Sequence, residues 1–177
     1  MRRSIGYLAS GFLGLLVVVQ AGANPAAAQA KKVVKLAGVN ALTDQSAAYG
    51  TRSHHGAQLA AKLINDAGGF KDNCGNTYTL EVTTNDMAND RNQAIALTRR
   101  AADDKSVLAV VGPSPSTGYV AMVPVAAQVK IPIVGTGTAA PIKQWSPWAY
   151  RVNPVAEQAE PAMVRKLHAK YKFSKLA

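Results

Sequence analysis

The chain has one cysteine, Cys74, so it cannot close an internal disulfide. Its fold must be held by a hydrophobic core rather than by covalent staples. Acidic residues are also scarce: 10 Asp and Glu stand against 20 Lys and Arg, a formal charge of +10. Aromatic residues make up only 6% of the chain, and basic residues cluster no more densely than in pairs such as Lys31-Lys32 and Arg99-Arg100. Without basic runs interleaved with rings that stack bases, this charge describes a generally basic surface and excludes a nucleic-acid site. No apolar run is long enough for a membrane span. The uncharged stretch from Ile5 to Val19 falls short of the about 20 residues a spanning helix needs, and Gly6, Gly11 and Gly14 interrupt it.

That stretch has a different use. Arg2 and Arg3 precede it, and the small residues Ala26-Ala27-Ala28-Gln29-Ala30 follow. A positive start, an apolar middle and an A-x-A ending are the parts of a secretory signal. Cleavage after Ala30 is expected, leaving Lys31 as the mature N-terminus and removing two positive charges. A lipid anchor needs a cysteine at the cleavage point, and Cys74 is far downstream in the turn-like Asp72-Asn73-Cys74-Gly75-Asn76. The mature chain is therefore expected to be unanchored and periplasmic, or secreted where the cell has a single membrane. Residues 31–177 suffice for one domain with a proper core and not for two.

Within that domain, strand and helix patterns alternate. Val33 to Val39 is short and rich in β-branched residues, which predicts a strand. Ala57, Ala60, Ala61 and Ile64 form the stripe of an amphipathic helix, which Gly68-Gly69 ends. Tyr78 to Thr84 alternates as a second strand. Asp90 can cap a helix that turns Ala94, Leu97 and Ala101 inward. Val107 to Val111 is continuously apolar, as in a strand buried on both faces. A helix from about Ser116 to Val129 contains Pro124, which should bend or loosen it. Ile131 to Val134 predicts a fourth strand and Ala149 to Val152 a fifth. Glu157 to Tyr171 predicts a last helix with Met163, Val164, Leu167 and Tyr171 at helical spacing. Lys175-Leu176-Ala177 reads as the start of a further strand. Such alternation predicts an α/β fold: a doubly wound, mostly parallel sheet in three αβα layers with right-handed crossovers.

Ligands of such sheets bind beyond the carboxyl ends of the strands, so the segments after Val39, Val111 and Val134 are the informative ones. Gly112-Pro113-Ser114-Pro115-Ser116-Thr117-Gly118 runs into a helix start, where free backbone N–H groups and the positive helix end suit a carboxylate. Ser116 and Thr117 add hydroxyls. From position alone, Ser116 either contributes to such a site or merely caps the helix. Gly135-Thr136-Gly137-Thr138-Ala139-Ala140-Pro141 lets a ligand approach the backbone and offers Thr136 and Thr138. Its match to G-x-G-x-x-A does not make a dinucleotide site. It follows the fourth strand and not the first, Pro141 disrupts the helix start, and no acidic residue ends a following strand. Tyr49, at a helix entrance after the first strand, could wall a small pocket or pack on its own helix.

Catalysis finds little support. His54 and His55 are adjacent, so on a helix they diverge by about 100° and cannot share a metal. His168 is placed on a solvated face. Gly112 to Ser116 fails G-x-S-x-G at its last position. Asp86 and Asp90 lie near a strand end, where loop capping is their ordinary use. A non-enzymatic binder without metal or cofactor is the reading these residues favour.

Taken in order, these segments resemble the N-terminal lobe of the leucine/isoleucine/valine-binding proteins, the type I solute-binding proteins of ABC importers. Ala48-Tyr49-Gly50 is similar to that family's Tyr-Gly at the first helix. Gly56 to Gly69 resembles its G-A-x-x-A-x-x-x-I-N-x-x-G-G stretch. Val110-Val111-Gly112 with Ser116 is similar to its I-G-x-x-x-S turn. Ile131 to Val134 with the small-residue loop to Pro141 is similar to its V-P-x-I-S-x-x-A-T-x-P. The resemblance implies a Rossmann-like lobe, an amino acid or related amide or carboxylate as ligand, a membrane permease as partner, and action as a monomer. It also implies roles. Tyr49 would wall the ligand side chain; Ser116, with Thr117 beside it, would hold the α-carboxylate; Gly137 and Ala139 fall where a carbonyl and a Thr hydroxyl receive the α-ammonium. Ala139 has no hydroxyl, and Thr138 stands one residue early, so either Thr138 substitutes or the ammonium clamp is weaker. The family has two lobes around a cleft, so the chain is expected to be a fragment lacking the second. A sensory module of the same fold and an exported hydrolase are the rival readings.

Overall fold

The computed structural model describes residues 31–139 and 146–175. The expected signal, its cleavage point, Ala140, Pro141 and the last two residues of the supposed terminal strand lie outside the described residues. Ten elements follow in chain order: β1 (Lys32–Asn40), α1 (Ala47–Asp66), β2 (Phe70–Lys71), β3 (Thr77–Asp86), α2 (Arg91–Asp103), β4 (Val107–Val111), α3 (Ser116–Val129), β5 (Ile133–Gly135), β6 (Ala149–Arg151) and α4 (Ala156–Tyr171). Among the described residues no helix is long and apolar enough to cross a membrane.

The strands form one six-stranded sheet in the order β2-β3-β1-β4-β5-β6. Only β2 runs antiparallel, pairing Phe70 with Tyr78. β1 sits in the middle, pairing from Lys32↔Tyr78 to Asn40↔Asp86 on one side and with β4 on the other. The chain steps one way from β1 to β3 and the other way from β3 through β4 to β5. Right-handed crossovers therefore place α1 on one face and α2 with α3 on the opposite face. Burial along β1 follows that division. Ala37 and Val39 enter the core with Ala94 and Ala101 of α2 and Met122 and Val123 of α3. Gly38 points the other way, and a Cβ there would come within 2.9 Å of the His54 ring on α1. The three-layer, doubly wound lobe is the architecture the alternating pattern predicts.

Local chemistry explains where the elements start and stop. The Asp90 carboxylate accepts the backbone N–H of Gln93 at 2.7 Å and caps α2. After α1 the chain turns through Gly68 and Gly69, both at positive φ; a Cβ on Gly69 would lie 2.0 Å from the Tyr78 carbonyl oxygen. The β2–β3 turn is organised by Asp72, whose carboxylate accepts from the backbone of Cys74 and Asn76, the Asn76 amide and the Tyr78 hydroxyl. Those bonds, the Asn76 side chain first, hold the carboxyl at about 2. Cys74 is exposed there.

Two expectations need correction. The fourth strand begins at Ile133 and not Ile131, because Pro132 has no N–H to give the ladder. β4 is not buried on both faces: only Val110 is fully enclosed. A register shift opposite Lys35 and Leu36 leaves Leu108 unpaired and 60% exposed, while α1 packs over β1 and β3 rather than β4. α3 spans the expected Ser116–Val129 with Pro124 inside it. The proline removes only the bond to the Val120 carbonyl, and the buried Tyr119, Met122, Val123, Val125 and Ala126 hold the helix in place. α4 buries no residue, and Met163 and Tyr171 are 55% and 64% exposed, since α4 leaves the end of the sheet after β6 and meets no apolar face among the described residues.

His54 is buried between α1 and the sheet, with Nε2 2.8 Å from the Thr84 hydroxyl and Nδ1 without a partner. Burial, then the nearby charge of His55, lowers its pKa below 6.5. The unfolded chain thus binds the proton more readily than the folded one, and stability is lost as pH falls below about 6.5. Urea unfolding at pH 7.5 and pH 5.5 is expected to show a lower midpoint in acid, with a smaller difference in His54→Gln. An equal difference in both would remove His54 as the source.

Candidate functional site

Three loops meet beyond the carboxyl ends of β1, β4 and β5. The loop after β1 is pinned by Asp86 at the end of β3, which accepts from the Leu42 N–H at 2.8 Å, the Thr43 hydroxyl at 2.6 Å and the Ala88 N–H at 2.8 Å. Burial opposes the Asp86 charge, yet these bonds keep its pKa below the ordinary value. The pinned loop feeds α1, where Gly50 lies so close to Ala41 that a Cβ would meet its carbonyl oxygen at 1.8 Å. Ser46 and Tyr49 are thereby placed beside the strand ends, with Tyr49 69% exposed.

The loop after β4 starts at Gly112, with φ +111° and a cis bond to Pro113. A Cβ on Gly112 would stand 2.1 Å from the Val39 carbonyl oxygen. The N-cap of α3 is Pro115, which has no side-chain hydrogen bond to give. Ser116 is the first helical residue, so it does not cap the helix. Its Oγ instead accepts the Ala139 N–H from the next loop at 3.1 Å. The leading N–H groups of α3 therefore have no capping side chain, and they carry the positive end of the helix.

The loop after β5 is held on both sides. The Thr136 N–H donates to the Pro113 carbonyl at 3.2 Å. Beyond β6, the Asn153 amide donates to the Thr136 carbonyl at 2.9 Å. Arg151 donates to the carbonyls of Thr138 and Ala139 at 2.9 and 3.3 Å. Gly137 packs against Ser116, whose Cα a Cβ would meet at 3.0 Å. Tyr119 of α3 braces the floor: its ring covers Gly135, and its hydroxyl donates to the Tyr150 carbonyl at 2.6 Å. Burial pushes this phenol up to about 12, against a smaller lowering by Arg151.

The loops enclose a cavity of about 310 Å³. Of the residues nominated from sequence, Tyr49, Ser116 and Thr138 line it. Gly137 and Ala139 stand behind Ser116 in contact with it. Thr117 is exposed on α3 and does not line the cavity. Sequence reasoning missed Ser46, Ser114, Pro115 and Asn153 as wall residues and noted Thr136 only as a hydroxyl in its loop. Asn153 was findable by the strand-end rule, since it follows β6 as Ser116 follows β4. Ser46 had no signal, because its position depends on the Asp86 contacts. The Thr136 Oγ1 is shut off from solvent without a partner.

Among the described residues no acidic side chain lines the cavity. The Ser116 hydroxyl is bonded to a backbone N–H and the His54 Nε2 to Thr84, so neither is arranged as half of a nucleophile–base pair. Among the described residues no group of three His, Cys, Asp or Glu side chains could hold a metal. The arrangement can receive an anionic group at the α3 start and hydrogen-bond a polar solute from surrounding hydroxyls.

The family profile described as periplasmic binding protein matches residues 33–177. The chain belongs to this family. Its lobe has the type I periplasmic binding protein fold. Among solved structures it is similar to the branched-chain amino acid transporter substrate binding protein LivJ of Streptococcus pneumoniae, in complex with isoleucine. Their identity is 26% and the TM-score 0.70, covering 78% of this chain and 39% of that one. A possible leucine/isoleucine/valine-binding protein of Rhodopirellula baltica gives 23%, 0.70, 82% and 38%. An ABC-transporter solute binding protein of Rhodopseudomonas palustris, in complex with 3,4-dihydroxybenzoic acid, gives 17%, 0.63, 78% and 37%; the last two likenesses concern the fold. No curated protein matches the chain. The chain thus spans about two fifths of the length of these periplasmic binding proteins.

Gly112→Ala tests the geometry that brings the loops together. The new Cβ meets the Val39 carbonyl, and φ is strained for any L side chain. The expected loss is at least about 1–3 kcal/mol of stability, read as a fall in urea midpoint; an unchanged midpoint would contradict the packing described.

Proposed function

We propose that this chain is the N-terminal lobe of an extracytoplasmic solute-binding component of an ABC importer. Its ligand is a small carboxylate-bearing solute, of the range that includes branched-chain amino acids and aromatic acids. The observation that carries this reading is the uncapped start of α3 opening beside a hydroxyl-lined cavity at the carboxyl ends of the strands. Unsatisfied N–H groups and a positive helix end are what a carboxylate needs.

In this reading Ser116 donates its hydroxyl proton to the carboxylate while its oxygen holds the Ala139 N–H, and the Thr117 N–H contributes from the helix start. Tyr49 walls the solute. The Gly137 carbonyl and the Thr138 hydroxyl face an amine where the ligand has one, and Ala139 contributes only backbone. The chain is exported by its first 30 residues, and its partner is a membrane permease docked on the lobe surface. Isoleucine and 3,4-dihydroxybenzoate in the similar proteins support a carboxylate as the shared ligand group.

Thermal unfolding of the full chain with amino acids, amides and aromatic acids tests the proposal. A bound solute raises the melting temperature in step with its concentration over Kd. Ser116→Ala is expected to weaken any carboxylate that binds by about 10- to 100-fold, the worth of a hydrogen bond to a charged group. No shift with any carboxylate, or an unchanged affinity in the variant, would sink the assignment.

A further inference from the structure

We infer that His54 is a positioning residue for the strand-end cavity: it seats the start of α1 on the sheet only while its ring is neutral, so acid frees Ser46 and Tyr49 from the cavity wall and weakens solute binding. The consequence for binding rests on the function proposed above; the seating does not.

The first turns of α1 have little else to hold them. Among the described residues of this helix only Gly50, His54 and Ala61 are buried. Ser46, at the N-cap, makes no side-chain hydrogen bond to the helix. The start of α1 meets β1 and its loop at two points, Gly50 against Ala41 and the His54 ring against Gly38. A glycine buries no side chain, so the His54 ring carries the packing of the first two turns. Ser46 is tied to the same turn, its carbonyl accepting the Gly50 N–H at 3.1 Å, and Tyr49 precedes Gly50. Both line the cavity, and both move if this turn lifts.

The seat fits a neutral ring and not a cation. Nε2 lies 2.8 Å from the Thr84 hydroxyl and either donates to it or accepts from it. Nδ1 is closed to solvent and has no partner. A neutral imidazole bonded through Nε2 can leave Nδ1 bare of a proton. An imidazolium carries N–H on both nitrogens, and its Nδ1–H would be buried without an acceptor.

The charged groups around the ring do not offset that cost. On α1 its neighbours are the basic Arg52 and His55, and the two histidine rings are 6.4 Å apart. On the face that meets α1, β1 presents Leu36, Gly38 and Asn40, and β4 presents Ala109 and Val111. None of these is charged. β3 presents Val82, Thr84 and Asp86 there, with Tyr78 further back. Asp86 is the acid of this face, and its carboxylate is engaged by Leu42, Thr43 and Ala88. The Tyr78 hydroxyl donates to Asp72. Burial first, and the His55 charge second, therefore hold the seated ring below the ordinary 6.5. A ring lifted into water returns to that value, so lifting takes up a proton and is favoured as pH falls below about 6.5.

Hydrogen–deuterium exchange of the full chain without solute, at pH 7.5 and pH 5.5 and corrected for intrinsic rates, reads the seating directly. Opening across Ser46 to His54, relative to Tyr119 to Ala126 of α3, is expected to rise about three- to ten-fold in acid. His54→Gln has no proton to gain and is expected to lose that rise, as is His54→Phe, which fills the seat should the amide disturb it. His55→Gln is expected to keep most of it, since burial is the larger cause. Titration calorimetry at the same two pH values, with isoleucine and with 3,4-dihydroxybenzoate as probes, reads the consequence. A probe that binds is expected to weaken about three- to ten-fold at pH 5.5 in the unaltered chain and less than about two-fold in His54→Gln. Exchange that does not respond to pH, or that responds equally in folded His54→Gln and His54→Phe, would overturn the inference. A response in exchange with unchanged affinity would overturn the link between the seat and the cavity. Failure of both probes to bind would count against the carboxylate reading and the link together, while exchange still decides the seating.

Discussion

The close approach of the β4 loop to the end of β1 governs the geometry of the site. Gly112 passes over the Val39 carbonyl with no space for a side chain, and so the chain can turn at once toward α3 rather than continue the strand. From that turn follow the Pro113 carbonyl that anchors Thr136 and the position of Ser116 against Gly137 and Ala139. Two further close contacts, Gly50 on Ala41 and Gly135 under the Tyr119 ring, bring the neighbouring loops to the same place. Each is a position where backbone or ring occupies the volume of a Cβ. The cavity is therefore a property of backbone packing first and of its hydroxyls second.

Much of the lobe is legible in the sequence because its signals are local. Strand and helix periodicity, the Gly68-Gly69 stop and the Asp90 cap each act within a few residues, and each is where it was expected. The strand-end rule likewise led to Ser116 and Thr138. Three kinds of feature escaped. Ser46 reaches the wall through the contacts of Asp86, about forty residues away in sequence, and no local pattern encodes that. The helix-stripe reading of Met163 to Tyr171 was sound as periodicity but said nothing about whether a face existed to receive it. Leu108 looked like the middle of a buried strand, and only the register shift beside Lys35 turned it out. Periodicity reports what a segment can bury; topology decides what it does bury.

The same division applies to the candidate site. Residue type allowed Ser116 to be either a helix cap or an anion donor, and the structure removes the first reading by placing Pro115 at the cap and Ser116 one residue inside the helix. Thr138 and Ala139 differ in a similar way. Thr138 lines the cavity, while Ala139 stands behind it and acts through its backbone, its N–H donating to Ser116 and its carbonyl accepting from Arg151. A loop of small residues thus divides its work between side chain and backbone at successive positions, which composition cannot reveal.

The choice of Pro115 carries a cost that the proposed ligand would account for. A serine or aspartate at the N-cap would add about 1 kcal/mol to the stability of α3 by satisfying one of its first N–H groups. It would also place a side-chain oxygen over those N–H groups, where an incoming carboxylate would have to displace it. Pro115 gives up that stabilisation and leaves the donors open. The helix is kept in place from below, by Tyr119, Met122 and Val123 in the core, so its start need not be secured at the cap. Stability comes from the buried face of α3, and in the proposed function the binding capacity would come from its uncapped end, so that the two would be kept on separate residues. Replacing Pro115 by a capping residue would therefore strengthen the fold and weaken the site, a trade that a purely structural helix would have no reason to refuse.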